Sequence, residues 1–159
     1  MTFTLRPATN ADRPALEALV FTILREHGLQ PDPAGIDADL ADLEAFYLTP
    51  GGAFDVLVDA AGRLVGSVGL CPVDATTCEM RKMYVAAEAR GHGLGRRLLQ
   101  HAQARAAALG FRRLVLETAS ILQTAIGLYE RSGFQRYTPA HLAARCDAAY
   151  FLDLEPAQK

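Results

Sequence analysis

Between Arg90 and Arg97 the chain reads Arg-Gly-His-Gly-Leu-Gly-Arg-Arg. A strand-like run, Glu79 to Val85, comes shortly before it, and an unbroken helical pattern, Leu98 to Leu109, follows directly. Glycines between a strand and a helix start leave backbone N–H groups bare and converging on one point. The helix dipole adds partial positive charge there, so the spot suits a phosphate or pyrophosphate. A phosphorylated cofactor is therefore the first expectation.

Spacing narrows the choice. A P-loop needs Gly-x4-Gly-Lys-Ser/Thr, but Gly95 is followed by Arg96-Arg97. A dinucleotide fingerprint needs G-x-G-x-x-G beside the first strand, whereas this loop reads G-x-G-x-G and lies past mid-chain. A metal centre needs clustered ligands, and His27, His92, His101 and His141 stand apart, so none is expected.

The elements that must position the loop follow from periodicity. Thr2 to Arg6 alternates as a strand, and Thr9 or Asn10 can cap a helix reaching about His27. Leu40, Leu43 and Tyr47 give Asp37 to Leu48 helical spacing. Phe54 to Val58 and Leu64 to Leu70 form a hairpin, and Cys78 to Val85 is the next strand. After the loop, Leu94, Leu98, Ala102 and Leu109 share a helix face that Gly110 ends. A strand from Arg113 to Glu117, a helix from Ile121 to Arg131, and strands Phe134 to Tyr137 and Tyr150 to Leu154 complete the order. The expected fold is α/β of the α+β kind. It has a mixed, mostly antiparallel sheet of about seven strands with about four helices on both faces.

Bulk properties set the frame. A chain of 159 residues, half of them hydrophobic, reads as a single domain over 1–159. No apolar run nears the ~20 residues of a membrane helix. Met1 to Arg6 lacks the charged and apolar regions of a signal peptide, and Cys71, Cys78 and Cys146 suggest reduced thiols, so a cytoplasmic location is expected. Charge is unevenly spread. Glu26 to Gly62 holds eight acids and no Lys or Arg, while Arg81 to Arg113 holds eight basic residues against the single acid Glu88. That polarity suits an anionic cofactor in one half and a cationic partner facing the other. The basic half lacks interleaved aromatics and the net charge is −2, which argues against nucleic acid.

At this point the chain resembles the GCN5-related N-acetyltransferase (GNAT) superfamily. That family's acetyl-CoA signature, Arg/Gln-x-x-Gly-x-Gly/Ala, is matched by Arg90, Gly93 and Gly95. The Ala125 to Phe134 segment follows at the family's usual distance, with Met83-Tyr84-Val85 leading into the loop. The resemblance implies that backbone groups of Met83, Tyr84 and Val85 pair with the pantetheine arm. It implies that the N–H groups of Gly91, His92, Gly93, Leu94, Gly95 and Arg96 hold the pyrophosphate. It places Tyr129 near the cofactor sulfur and Glu79 where some members carry a catalytic carboxylate. A polar residue that many members carry is Leu122 here, with Ser120, Gln123 or Thr124 as substitutes.

The implied reaction moves an acetyl group from acetyl-CoA to a primary amine, with no metal. A non-catalytic acyl-CoA-binding module is the alternative, and the presence of both Glu79 and Tyr129 favours the enzyme. Acids in the segments expected to shape the acceptor pocket, including Asp32, Asp37 and Asp147, suggest a small cationic amine, with a protein amino group as a second choice. No membrane or nucleic-acid partner is expected, and an edge strand near the C-terminus makes a homodimer unsurprising.

Overall fold

The computed structural model describes residues 2–156. Its seven strands are β1 (Thr4–Pro7), β2 (Ala53–Val58), β3 (Leu64–Pro72), β4 (Thr77–Val85), β5 (Arg113–Thr118), β6 (Gln135–Tyr137) and β7 (Ala148–Asp153). They form one sheet in the order β1-β2-β3-β4-β5-β7-β6. Only β4 and β5 run parallel; the other neighbours are antiparallel. The mixed, mostly antiparallel sheet is the one expected. The single parallel pair needs a crossover, which α2 (Leu94–Ala108) supplies.

Alternation along β2 separates two cores. Asp55 points to the face covered by α2, where it meets His101 at 2.8 Å. Phe54 and Val56 point the other way and join Leu16, Val20 and Leu24 of α1 (Arg13–Glu26). The helix expected over Asp37 to Leu48 is broken into a 3-10 turn, Ala38–Ala41, and a π-helical turn, Glu44–Leu48. Asp42 causes the break. It is extended at φ −149°, its carboxylate accepts the Ala45 N–H at 3.1 Å, and the Asn10 side chain receives the Leu43 N–H at 2.8 Å. Side-chain bonds of this kind compete with the helical ladder. Leu40, Leu43 and Tyr47 are nonetheless fully buried, as their spacing demands.

The last helix, α3 (Gln123–Arg131), starts two residues later than its apolar pattern, because Leu122 takes a non-helical conformation at its start. Among the described residues no helix is long and apolar enough to cross a membrane.

Candidate active site

The site begins where two strands part. β4 and β5 are paired only from Thr77 to Glu79, against Arg113 to Val115. Beyond Glu79 the edge of β4 that faced β5 has no strand partner, although β4 stays paired with β3 up to Val85. A bulge drives the divergence. Lys82 and Met83 both stand opposite Val68, between the pairs Arg81–Gly69 and Tyr84–Ser67. Lys82 is left-handed at φ 56°, and Ser67 Oγ donates to its carbonyl at 2.7 Å. An extra residue of this kind bends its strand and re-aims the residues beyond it. The split opens a cleft of about 870 Å³ that reaches from the glycine loop to the 35–46 segment.

At one end of the cleft lies the start of α2. Gly93 precedes it in the left-handed region at φ 70°, and Gly91 is at φ 85°. Neither glycine carries a side chain to cap the helix, and its first ladder bond is from Arg97 N–H to the Gly93 carbonyl at 3.1 Å. The N–H groups of Leu94, Gly95 and Arg96 are thus left without helical partners, on residues that line the cleft. This end is built to receive an anion. The Arg90 side chain braces the loop, with Nε on the Val85 carbonyl at 3.2 Å and Nη2 on Glu26 at 3.1 Å. At Gly95 a Cβ would meet only Leu128 of α3, at 3.5 Å, an ordinary contact.

Midway along the cleft stands Tyr129, packed between the rings of Phe134 and Tyr150 at 5.7 and 6.2 Å. Its hydroxyl makes no hydrogen bond among the described residues and is not sealed from solvent. Burial raises its pKa, with nearby Tyr84 adding to the shift, so the phenol keeps its proton. Tyr84 is itself pushed up to about 12, chiefly by burial.

Glu79 lies at the fork of the two strands. Burial raises its pKa, Arg81 opposes the shift, and the Glu117 carboxyl beside it adds to it. Sequence patterning does not single out Glu117. It sits on β5 two residues beyond Val115, the register partner of Glu79, so alternation puts both acids on one face. Its Oε1 also accepts the Ala143 N–H at 2.8 Å. The sequence signal was a single acid ending the apolar run Leu114-Val115-Leu116. A partly desolvated carboxyl pair can take up and share a proton.

The far end is closed by a buried ionic network. Lys82 Nζ lies 3.1 Å from Asp37 and 3.2 Å from Asp39, and Arg145 grips Asp37 with both terminal nitrogens at 2.7 and 2.8 Å. The Tyr47 hydroxyl donates to Asp39. The cations outweigh burial and hold the Asp37 carboxyl down at about 2. The acidic run of the sequence thus pairs with the basic run inside the fold. Glu26 meets Arg90, and Asp55 meets His101 and Arg105.

The structure gathers Glu79, Met83, Tyr84, Val85, Arg90, Gly91, Gly93, Leu94, Gly95, Arg96, Thr124 and Tyr129 around one cleft. Two side chains point away from it. His92 turns back to the Ala89 carbonyl at 3.0 Å and stacks edge-on with Phe3, leaving only its backbone near the loop. Ser120 binds Asp147 through its N–H and hydroxyl, both at 2.6 Å. Of the polar substitutes for Leu122, Gln123 and Thr124 line the cleft.

A sheet split at a parallel pair, with a bare helix N-terminus at its mouth, defines an acyltransferase-like architecture, and comparison with known proteins gives the family. The profile of the acetyltransferase (GNAT) family matches residues 20–134. The N-acetyltransferase YjgM of Escherichia coli K12 is 37% identical over 136 residues, which cover 82% of this chain and 81% of that one. A GNAT-family acetyltransferase from Staphylococcus aureus Mu50 superposes with a TM-score of 0.90 at 20% identity, covering 97% of this chain and all of that one. The fold is also similar to a phosphinothricin acetyltransferase from Sinorhizobium meliloti in complex with acetyl-CoA. There the TM-score is 0.75 at 22% identity, over 97% of this chain and 89% of that one. The chain belongs to the GNAT family and is an N-acetyltransferase of that type.

Proposed function

We propose that this enzyme carries the acetyl group of acetyl-CoA directly to a primary amine, with the donor and the acceptor meeting at Glu79. The observation that carries the reading is the shared cleft. An anion-receiving helix start, an unpaired strand edge, a protonated phenol and a carboxyl pair follow one another along it. The pyrophosphate of acetyl-CoA fits the N–H groups from Gly91 to Arg96. Its amide-bearing arm fits the open edge of β4 at Met83, Tyr84 and Val85, with Thr124 across the cleft.

Only a neutral amine attacks a thioester. A lysine-like ammonium, with pKa ~10.4, is neutral in about one molecule in 2,500 at pH 7, a handicap of roughly 4.6 kcal/mol. Glu79, its basicity raised by burial and by Glu117, takes that proton directly or through a water. The amine nitrogen then bonds to the carbonyl carbon, and a backbone N–H near Val85 meets the oxyanion. The carbon–sulfur bond breaks, the electron pair leaves with the sulfur as a thiolate, and the surplus proton on the acylated nitrogen is lost to solvent. Tyr129 donates a hydrogen bond to that thiolate. A phenol with a raised pKa does not surrender its proton fully to a thiol of pKa ~8.5.

The acceptor enters as a cation, and its ammonium faces Glu79 and Glu117. Asp37 and Asp147, the acids that suggested this charge in the sequence, are already engaged by Arg145 and Ser120. Asp32 is engaged by the Ile36 N–H. Because Glu79 is largely buried, a small amine fits better than a side chain on a folded protein. Three free thiols, Cys71, Cys78 and Cys146, suit the reducing cytoplasm.

The decisive experiment mixes the purified chain with acetyl-CoA and a panel of amines and follows release of free CoA thiol. Amine-dependent release is expected. Tight acetyl-CoA binding with no release under any amine overturns the reading in favour of a binding module.

A further inference from the structure

Few acids line the cleft. Among the described residues they are Asp39, Glu79 and Glu117. Asp39 is closed to a ligand: its side chain is fully enclosed, with the Tyr47 hydroxyl donating to it and Lys82 Nζ at 3.2 Å. Glu79 and Glu117 remain, side by side, and one ammonium between them engages both.

The cations at this end already have partners. Arg145 grips Asp37 with both terminal nitrogens, and Lys82 lies between Asp37 and Asp39. Arg81 is divided between the Ile36 carbonyl at 3.0 Å and Glu79 at 3.6 Å. A second positive charge on the acceptor would therefore meet these cations and no further open carboxylate. A negative charge would have to displace a partner already in place. Removing either charge from water without a fresh partner is unfavourable.

The surface left open here is apolar. Phe46 lines the cleft and stays 36% exposed, although the Arg81 guanidinium stands 5.2 Å from its ring centre. Arg81 also faces Glu79, so the ring lies one side chain away from the carboxyl pair. Ile36, whose carbonyl holds Arg81, is half-buried and lines the cleft as well. On the β5 side, Ile121 lines the cleft and is 57% exposed. Apolar side chains exposed around a few polar groups are the usual make-up of a small-molecule site.

Resting on the acetyltransferase reading above, we infer that the acceptor is an amphipathic monoamine, with its single ammonium at Glu79 and Glu117 and an uncharged apolar body against Phe46, Ile36 and Ile121. Polyamines and amines with a remote carboxylate are then poor acceptors, because their second charge finds no open partner.

Matched acceptors test this on the native chain, with thiol release giving kcat/KM. One series lengthens a straight alkylamine from propyl to hexyl. The other compares hexylamine with the diamine and the amino carboxylate of the same length. Their reacting amines are chemically alike, so the comparison isolates the far end. Along the first series kcat/KM is expected to rise about two- to fourfold for each added methylene, as apolar surface is buried. Hexylamine is expected to exceed each charged partner, per amino group, by about tenfold or more. In Phe46→Ala the rise with length is expected to flatten, mostly through KM. Phe46→Leu, which keeps an apolar side chain, is expected to retain most of it.

A diamine or amino carboxylate that matches or beats hexylamine overturns the inference and leaves the acetyltransferase reading standing. So does release with other amines of the wider panel but with none of the alkylamines. A rise with length that survives Phe46→Ala overturns the assignment of Phe46. No release with any amine overturns both readings. Should Phe46→Ala fail to fold, the two series on the native chain decide alone.

Discussion

In the proposed reaction Tyr129 and Glu79 have opposite tasks, and their surroundings separate them. Tyr129 is enclosed by Phe134 and Tyr150, and burial keeps its hydroxyl protonated. Replacing it with Phe removes a donor while leaving the ring packing intact. Turnover is therefore expected to fall about tenfold to a hundredfold, with acetyl-CoA affinity nearly unchanged. Steady-state kinetics beside a direct binding titration check this, and full turnover in the variant removes the role. Glu79 has its pKa raised by burial, so it is ionised only above that elevated value. In the native enzyme kcat/KM should fall as pH drops through that pKa. In Glu79→Gln this limb is expected to vanish. At pH values where native Glu79 is ionised, the loss should be largest where the amine is mostly protonated and should shrink as pH nears the amine's own pKa. An unchanged pH–rate profile takes Glu79 out of the mechanism.

The place of both residues at the cleft was legible in the sequence, because each sits in a strand or helix that the local pattern predicts. Glu117, Arg81 and Arg145 were not, because their roles depend on pairings between distant segments. Arg145 meets Asp37 across 108 positions, and Arg81 meets Ile36 across 45. Only the register of β4 against β5 places Glu117 beside Glu79.

Among the elements, the glycine loop was the most legible. This loop enters its helix through left-handed backbone, which glycine adopts readily, and Gly91 and Gly93 provide it. The split sheet was less so: nothing in the run Glu79 to Val85 announces that Lys82 adopts φ 56°. The helix over Asp37 to Leu48 was read from a correct apolar period, but Asn10, from another part of the chain, helps Asp42 interrupt it. The loop glycines also differ in what they require. At Gly93, with φ 70°, any Cβ strains the backbone although no neighbour lies within 4 Å. Gly93→Ala is expected to cost about 1 kcal/mol and to weaken acetyl-CoA binding, because relaxing that strain turns the N–H groups away. At Gly95 the helix is regular and the Cβ would meet only Leu128 at 3.5 Å. Gly95→Ala is therefore expected to keep both binding and melting temperature. Thermal melts and titrations with acetyl-CoA on the two variants compare them directly. Equal losses at both positions would contradict the distinction.

For the molecule as a whole, the far wall of the cleft depends on charge rather than on regular structure. The 30–43 segment has no long helix or strand, yet Asp37 ties it to β4 through Lys82 and to the 140s through Arg145. The same carboxylate accepts the Asp32 N–H at 2.8 Å, which folds the segment on itself. Asp37 is depressed from 3.8 to about 2 in the fold, the joint effect of Arg145, the Asp32 N–H and Lys82 against burial. A depressed carboxyl stabilises the fold above its unfolded pKa and loses that contribution as pH falls through its folded one. The window therefore runs from 3.8 down to about 2, and the contribution above it is about 2 kcal/mol. Asp37→Asn removes the charge at every pH and leaves Lys82 and Arg145 buried beside a neutral amide. The expected cost near neutral pH is about 3 kcal/mol, seen as a lower melting temperature. Between pH 4 and 2 the native protein should lose stability toward the variant, so their melting temperatures should converge. Acceptor KM should rise in Asp37→Asn more than acetyl-CoA affinity falls, since the network closes the end of the cleft proposed for the acceptor, opposite the α2 N-terminus. Parallel melting curves across that pH range, or a loss confined to acetyl-CoA binding, would show that this wall is held by something other than the Asp37 network.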